Sequence, residues 1–194
     1  MRARDNPFRA DRVEQIRYRL EDATWPELLE RCATLGYQAA VIGPPGFGKT
    51  TFLSELEPRL RTAGFGTWSI RLDQDQRAFA PGFLPSLFAR LTARDILLVD
   101  EAQQMNPLAW RHFRRGARHA GGLIIATHRG GRLPTLWECR TSPELLAGIA
   151  AELLQVNRDT LQMPVTALYR KHRGNLRSVL REWYDVAASQ SGFV

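Results

Sequence analysis

The stretch Gly43-Pro44-Pro45-Gly46-Phe47-Gly48-Lys49-Thr50 matches the phosphate-binding pattern G-x-x-x-x-G-K-[ST] without a departure. Its left flank, Gln38-Ala39-Ala40-Val41-Ile42, is largely apolar and reads as a buried strand; its right flank, Thr51-Phe52-Leu53-Ser54-Glu55-Leu56, reads as the first turns of a helix. Strand, glycine loop and helix is the context in which the pattern has a physical meaning. Glycines let the backbone curl so that successive N–H groups point at phosphate oxygens. The helix start adds partial positive charge on the same side. Lys49 then reaches the β- and γ-phosphates of a nucleotide, and the Thr50 hydroxyl is placed to ligate Mg²⁺.

The chain has 194 residues, enough for one domain or a domain with a small appendage, and its 44% hydrophobic content is that of an ordinary globule. No apolar run is long enough to span a bilayer. The N-terminal Met1-Arg2-Ala3-Arg4-Asp5-Asn6-Pro7 carries neither an apolar stretch nor a cleavage site, so a cytoplasmic location without membrane attachment is expected. Cys32 and Cys139 lack metal-ligand spacing and read as buried free thiols. The net charge is +7, and apart from Lys49 and Lys171 every basic side chain is arginine. A basic surface suits nucleic acid, but an ATPase also needs cations around a triphosphate and at subunit contacts. DNA is therefore a candidate partner on charge, with a solvated surface as the alternative.

The pattern divides into an entry segment with a helix (residues 1–37), an α/β core (38–142) and a helical lid (143–194). A helix is expected over Pro26 to Leu35, strands over Thr67–Leu72, Ile96–Asp100 and Leu123–Thr127, and a short fifth strand within Thr135–Arg140. Helices are expected near Phe83–Leu91 and from Pro107 towards Arg118, with Gly121-Gly122 as a break. The loop with Asp73 and Asp75 joins the second strand to the first of these. Beyond Ser142-Pro143 the periodicity is helical, over Pro143–Gln155, Val165–Lys171 and Leu176–Ala188. The expected architecture is a parallel five-stranded sheet sandwiched by helices, followed by a short all-helical lid.

Ile96-Leu97-Leu98-Val99-Asp100-Glu101 is the second strong signal. Asp100, at the end of a buried strand, would hold Mg²⁺ largely through water; Glu101 would orient and deprotonate an attacking water. In the expected sheet the fourth strand lies between the first and third, so Thr127 at its tip faces the gap between γ-phosphate and water. His128 is the rival for that place. Arg173-Gly174-Asn175-Leu176-Arg177 reads as a turn in which Gly174 closes one helix, Asn175 caps the next and Arg177 falls in its first turn, able to lean over the nucleotide. Arg129, Arg132 and Arg140 follow the fourth strand, and Arg132 is the choice for a charge-stabilising arginine supplied to a neighbouring subunit. The basic run Arg111 to His119 is a candidate partner surface or a solvated helix face. The five tryptophans are scattered and read as packing residues.

Together these motifs resemble the AAA+ branch of the P-loop NTPases, over most of the chain from Asn6 to Ala188. Gly43–Thr50 looks like Walker A, Ile96–Glu101 like Walker B, Thr127 like sensor 1 and Gly174-Asn175-Leu176-Arg177 like the sensor 2 arginine. The Asp-Glu-Ala-Gln wording and the Asn-Pro-Phe entry look most like the compact ATPases near the origin-initiator and transposition-regulator groups. The resemblance implies that ATP and Mg²⁺ are bound by residues 43–51, Thr51 included, with Arg177 over the nucleotide. It also implies a homo-oligomer that remodels a protein or nucleic-acid partner. The lid is short, no winged-helix module follows it, and no pore loop is evident; Phe79 and Phe83 read equally as packing. ATP is expected over GTP, since no Asn-Lys-x-Asp pattern occurs. A small-molecule kinase on the same core, and a nucleotide-stabilised scaffold with little turnover, are the competing readings; Asp100-Glu101 argues against the first and Glu101 against the second.

Overall fold

The computed structural model describes residues 6–72, 79, 82–161 and 163–189. The expected loop holding Asp73 and Asp75 lies outside them, as do residues 1–5 and 190–194 of the outer segments. The chain falls into two compact units. One unit comprises residues 19–43 and 49–139; the other comprises residues 1–18, 44–48 and 140–194. The entry segment is thus shared between the units, because its Asn-Pro-Phe end packs with the C-terminal helices.

In the sheet unit, β1 (Gln38–Ile42), β2 (Gly66–Arg71), β3 (Asp95–Asp100), β4 (Gly122–Thr127) and β5 (Thr135–Glu138) form one sheet in the order β2-β3-β4-β1-β5. Each neighbouring pair is parallel, with Ile42 opposite Thr127 and Arg71 opposite Asp100. This is the parallel α/β fold expected, and β4 lies between β1 and β3. Helices α2 (Trp25–Thr34), α3 (Lys49–Thr62), α4 (Phe83–Arg90) and α5 (Pro107–Gly116) complete the unit. The central strands are apolar along their length because both faces are covered: Leu97, Val99, Leu123 and Ile125 join one core with Leu87, Met105 and Phe113. Phe52 of α3 sits between the rings of Trp25 and Trp137, with centroids 5.1 and 6.2 Å away.

Local chemistry explains the helix boundaries. Thr24 and Glu27 form a reciprocal capping box at the start of α2, with Pro26 in its first turn. Asn106 caps α5 by accepting from the Ala109 N–H at 2.8 Å. That helix ends at Gly116, short of the expected Arg118, and a 3₁₀ turn over Ala117–His119 leads to β4. A side chain at Gly116 would run into the Phe88 ring, so the glycine lets α4 and α5 approach closely.

The helical unit contains α1 (Ala10–Val13), α6 (Pro143–Leu154), α7 (Val165–Lys171) and α8 (Leu176–Ser189). Its core joins Leu146, Ile149 and Leu153 of α6 to Val179, Leu180 and Trp183 of α8. Asn6 donates from Nδ2 to the Tyr184 carbonyl at 2.9 Å and accepts from the Phe8 N–H at 3.0 Å, which turns the Phe8 ring onto Trp183, 5.4 Å between centroids. Phe8 and Trp183 are 3% and 2% exposed, and burial of such rings stabilises by about 2–3 kcal/mol each. Both cysteines are buried free thiols, and burial pushes the Cys32 thiol up to about 11. Among the described residues no helix is long and apolar enough to cross a membrane.

Candidate functional site

The glycine loop begins where β1 ends. The Gly43 N–H donates to the Thr127 carbonyl at 3.2 Å, continuing the β1–β4 ladder by one rung. A Cβ at Gly43 would lie 3.0 Å from the Cys139 carbonyl oxygen, so the strand end can approach its neighbour only as glycine. Gly46 and Gly48 have φ of 77° and 85°, in the left-handed region that other residues enter at a cost. The loop then runs directly into α3 at Lys49, so its backbone leads to the N-terminus of a 14-residue helix. The loop's ends, Gly43 and Lys49, belong to the sheet unit; Pro44–Gly48 belong to the helical unit. Pro44 and Pro45 are exposed, Phe47 is half-buried, and Thr51 is half-buried in the first turn of α3.

Lys49 is only 4% exposed and its Nζ donates to the Gly43 carbonyl at 2.8 Å. The ammonium is therefore held back against the loop's own backbone. Thr50 donates from Oγ1 to Asp100 Oδ2 at 2.7 Å, and Asp100 Oδ1 accepts from the Glu101 N–H at 2.9 Å. Asp100 is 6% exposed. The Arg71 Nε stands 4.0 Å away, at the edge of ion-pairing distance.

This donor set fits Mg²⁺. Among the described residues no three His, Cys, Asp or Glu side chains cluster as an all-protein cage would require. Mg²⁺ is held instead by one or two side-chain oxygens plus water and phosphate, which is what the touching pair of Thr50 hydroxyl and buried Asp100 carboxylate offers.

Glu101 has φ 58°, a left-handed conformation for a non-glycine residue, at the start of the 3₁₀ turn Ala102–Gln104. Its carboxylate accepts a hydrogen bond from Gln103 Nε2. The same amide nitrogen lies 3.2 Å from His128 Nε2, which is 3.7 Å from the Glu101 carboxylate. An amide NH₂ has two protons, so Gln103 serves both partners when His128 is neutral with its proton on Nδ1. The local field agrees: burial, then the charge of Lys49, push the His128 imidazole below its ordinary range, against a smaller opposing pull from Glu101. Gln103 Oε1 is buried and has no hydrogen-bond partner among the described residues.

Of the two candidates at the tip of β4, the structure brings the His128 ring to Glu101. Thr127 is 3% exposed and accepts the Gly43 N–H through its backbone carbonyl. In the sequence, Gln103 stands out only as the last residue of the Asp-Glu-Ala-Gln motif. Its signal was its position two residues beyond Glu101, which becomes meaningful once the 3₁₀ turn folds it back.

Arg132, expected to serve a neighbouring subunit, is engaged within its own chain. Its Nη1 donates to the Ala102 carbonyl at 2.6 Å, its Nη2 donates to the Met105 carbonyl, and its guanidinium lies 5.1 Å from the Trp110 ring centroid. It thereby braces the turn that follows Glu101, and burial lowers its pKa from the usual guanidinium range. Arg129 and Arg140 are exposed. In the helical unit, Asn175 caps α8 by accepting from the Ser178 N–H at 3.0 Å, and Arg177 is exposed in the helix's first turn. Arg173 and Gly174 both have positive φ, 52° and 79°, and make the turn out of α7.

No protein-family model matches the chain, and no curated protein matches it. Solved structures do resemble it. The RuvB Holliday junction branch migration motor of Thermotoga maritima aligns with 82% of this chain and 58% of its own, at 21% identity and a TM-score of 0.51. The replication initiator DnaA bound to AMPPCP and single-stranded DNA aligns with 93% of this chain and 65% of its own, at 14% identity and a TM-score of 0.62. PCH-2 of C. elegans aligns with 88% of this chain and 71% of its own, at 13% identity and a TM-score of 0.51. The chain thus spans less than two thirds of the RuvB and DnaA structures it matches. At these identities the likeness is one of fold: the chain has the fold of the AAA+ P-loop ATPases.

Proposed function

We propose that the chain binds Mg²⁺-ATP at residues 43–51 and hydrolyses it. The observation that carries this reading is the pairing of Thr50 Oγ1 with Asp100 Oδ2 at 2.7 Å, beside a buried Lys49 and directly before Glu101. The loop N–H groups and Lys49 bind the phosphate oxygens, Lys49 exchanging its contact with the Gly43 carbonyl for the β- and γ-phosphates. Mg²⁺, when bound at Thr50 and Asp100, neutralises phosphate charge. Glu101 accepts a proton from the water whose oxygen attacks the γ-phosphorus; the bond from that phosphorus to the bridging oxygen breaks, and its electron pair leaves with ADP. Gln103 and His128 set where the Glu101 carboxylate sits. Thr127, at the end of β4, is assigned to aligning the water on its motif position. Arg177 is assigned to nucleotide sensing on its motif position, and Arg132 to bracing the catalytic turn.

The output is a change of assembly or shape passed to a partner, in a cytoplasmic, homo-oligomeric ATPase. This rests on the fold shared with a branch-migration motor and with an initiator bound to single-stranded DNA. DNA and protein both remain partner classes under it. The test is Glu101→Gln. Retention of ATP binding with phosphate release reduced about 10²–10⁴-fold is expected, as for loss of a general base. Lys49→Ala should abolish tight binding. Phosphate release at the parent rate by Glu101→Gln would overturn the assignment, and release that depends on an added acceptor would mark a kinase.

A further inference from the structure

Residues 102–137 contain six arginines, three of the chain's four histidines and no carboxylate. Within that stretch α5 carries Arg111, Arg114 and Arg115, all exposed and none with a side-chain hydrogen bond or ion pair among the described residues. Leu108, Arg111, His112 and Arg115 recur at three- and four-residue steps, so they share a helix face. Leu108 is 78% exposed, far more than a leucine with a packing role. It borders a cavity of about 510 Å³ whose walls include Leu72, Phe79, Leu84, Met105 and Phe113. Phe83, at the start of α4, is also 44% exposed. The sheet unit therefore presents an apolar groove edged by positive charge that has no acidic partner among the described residues.

We propose that this groove is a docking site for a segment of a partner protein that is acidic and carries apolar side chains at helical spacing. The volume accommodates a few aliphatic or aromatic side chains. Carboxylates flanking them meet Arg111, His112 and Arg115, which face no carboxylate partner among the described residues. Nucleic acid fits the same charge less well. It binds through phosphates and exposed rings on which bases stack, whereas Phe113 is 1% exposed, Trp110 lies under Arg132, and Phe79 and Phe83 stack on each other at 5.5 Å. The groove also has a mechanical address. Gln104 and Met105 line it, and they close the turn that begins at Glu101 and is braced by Arg132. An occupant would press on the element that holds the catalytic carboxylate. The proposal itself concerns binding and stands apart from the ATPase reading.

Fluorescence anisotropy on the full chain tests it, using a labelled helical peptide of Glu, Leu and Phe with the apolar residues on one face. Saturable binding with a Kd of about 10 μM is expected. A shuffled peptide of the same composition should bind at least about tenfold more weakly, because its apolar residues no longer align. Leu108→Glu, and separately the double change Arg111→Glu with Arg115→Glu, should each weaken binding about tenfold or more. These side chains are exposed, and an unchanged circular dichroism spectrum verifies the fold. Equal binding of both peptides, or indifference to both variants, would overturn the proposal. Displacement of the peptide by oligothymidylate through the same residues would hand the surface to nucleic acid. Absence of binding by the parent chain would also overturn it, and binding gained with Asp73→Ser and Asp75→Ser would then assign the groove to the chain's own segment 73–78.

Discussion

Gly46→Ala probes the loop through two separable costs. At φ 77° an alanine sits in the left-handed region, which costs about 1–2 kcal/mol for an L-residue. The new methyl also overlaps the Asn175 side-chain amide, and that amide caps α8 through its 3.0 Å bond from the Ser178 N–H. Displacing Asn175 to relieve the overlap loses the cap, worth about 1 kcal/mol. The sum is about 2–3 kcal/mol, which for a chain of this size lowers the melting temperature by about 4–12 °C. Glycine is nearly as good a cap residue as asparagine, so Asn175→Gly alone should cost only about 0.5 kcal/mol or less. In that background Gly46→Ala meets no side chain and should cost only the backbone part, about 1–2 kcal/mol. The assay is urea unfolding of the parent, both single variants and the double variant, without nucleotide. A coupling of about 1 kcal/mol is expected. An equal cost of Gly46→Ala in both backgrounds would refute the steric link between the loop and the cap, leaving only backbone strain.

Arg132→Ala leaves the Ala102 and Met105 carbonyls without their charged donor and should destabilise the chain by about 2–3 kcal/mol; Arg132→Lys should recover only part, since an ammonium cannot reproduce the two-pronged geometry. Both are measured by urea unfolding, and a cost below about 0.5 kcal/mol would remove the bracing role. His128 gives a pH dependence. Its folded-state pKa lies below the ordinary 6.5, through burial first and Lys49 second. The unfolded chain therefore takes up the proton first as pH falls, and stability drops from about pH 7 downward until the folded value is passed. His128→Asn should flatten that part of the stability profile, from about pH 7 downward; an unchanged slope would show that another group carries it.

The phosphate loop, the acidic strand end and the strand-helix alternation were legible because each is a local rule. A glycine at positive φ, a proline or asparagine at a helix start, and an apolar run covered on both faces leave their mark within a few residues. That is why β1, β3, β4 and α2 emerged within a residue or so of their expected bounds. The run from Asn6 to Phe8 was legible as a motif but not as a packing element, since its partners Trp183 and Tyr184 lie at the far end of the chain.

What residue order dictated, then, was the chemistry on offer: a loop for phosphate, a hydroxyl and a carboxylate for a divalent ion, a second carboxylate for a proton. Which side chains meet was decided only by folding. The αL turn at Glu101 swings Gln103 back between that carboxylate and His128, and it exposes the carbonyls that claim Arg132. Those contacts join residues about 25–30 positions apart, whose meeting depends on β4 lying next to β3 and on a turn that no local propensity favours at glutamate. Spacing along the chain carries no record of either.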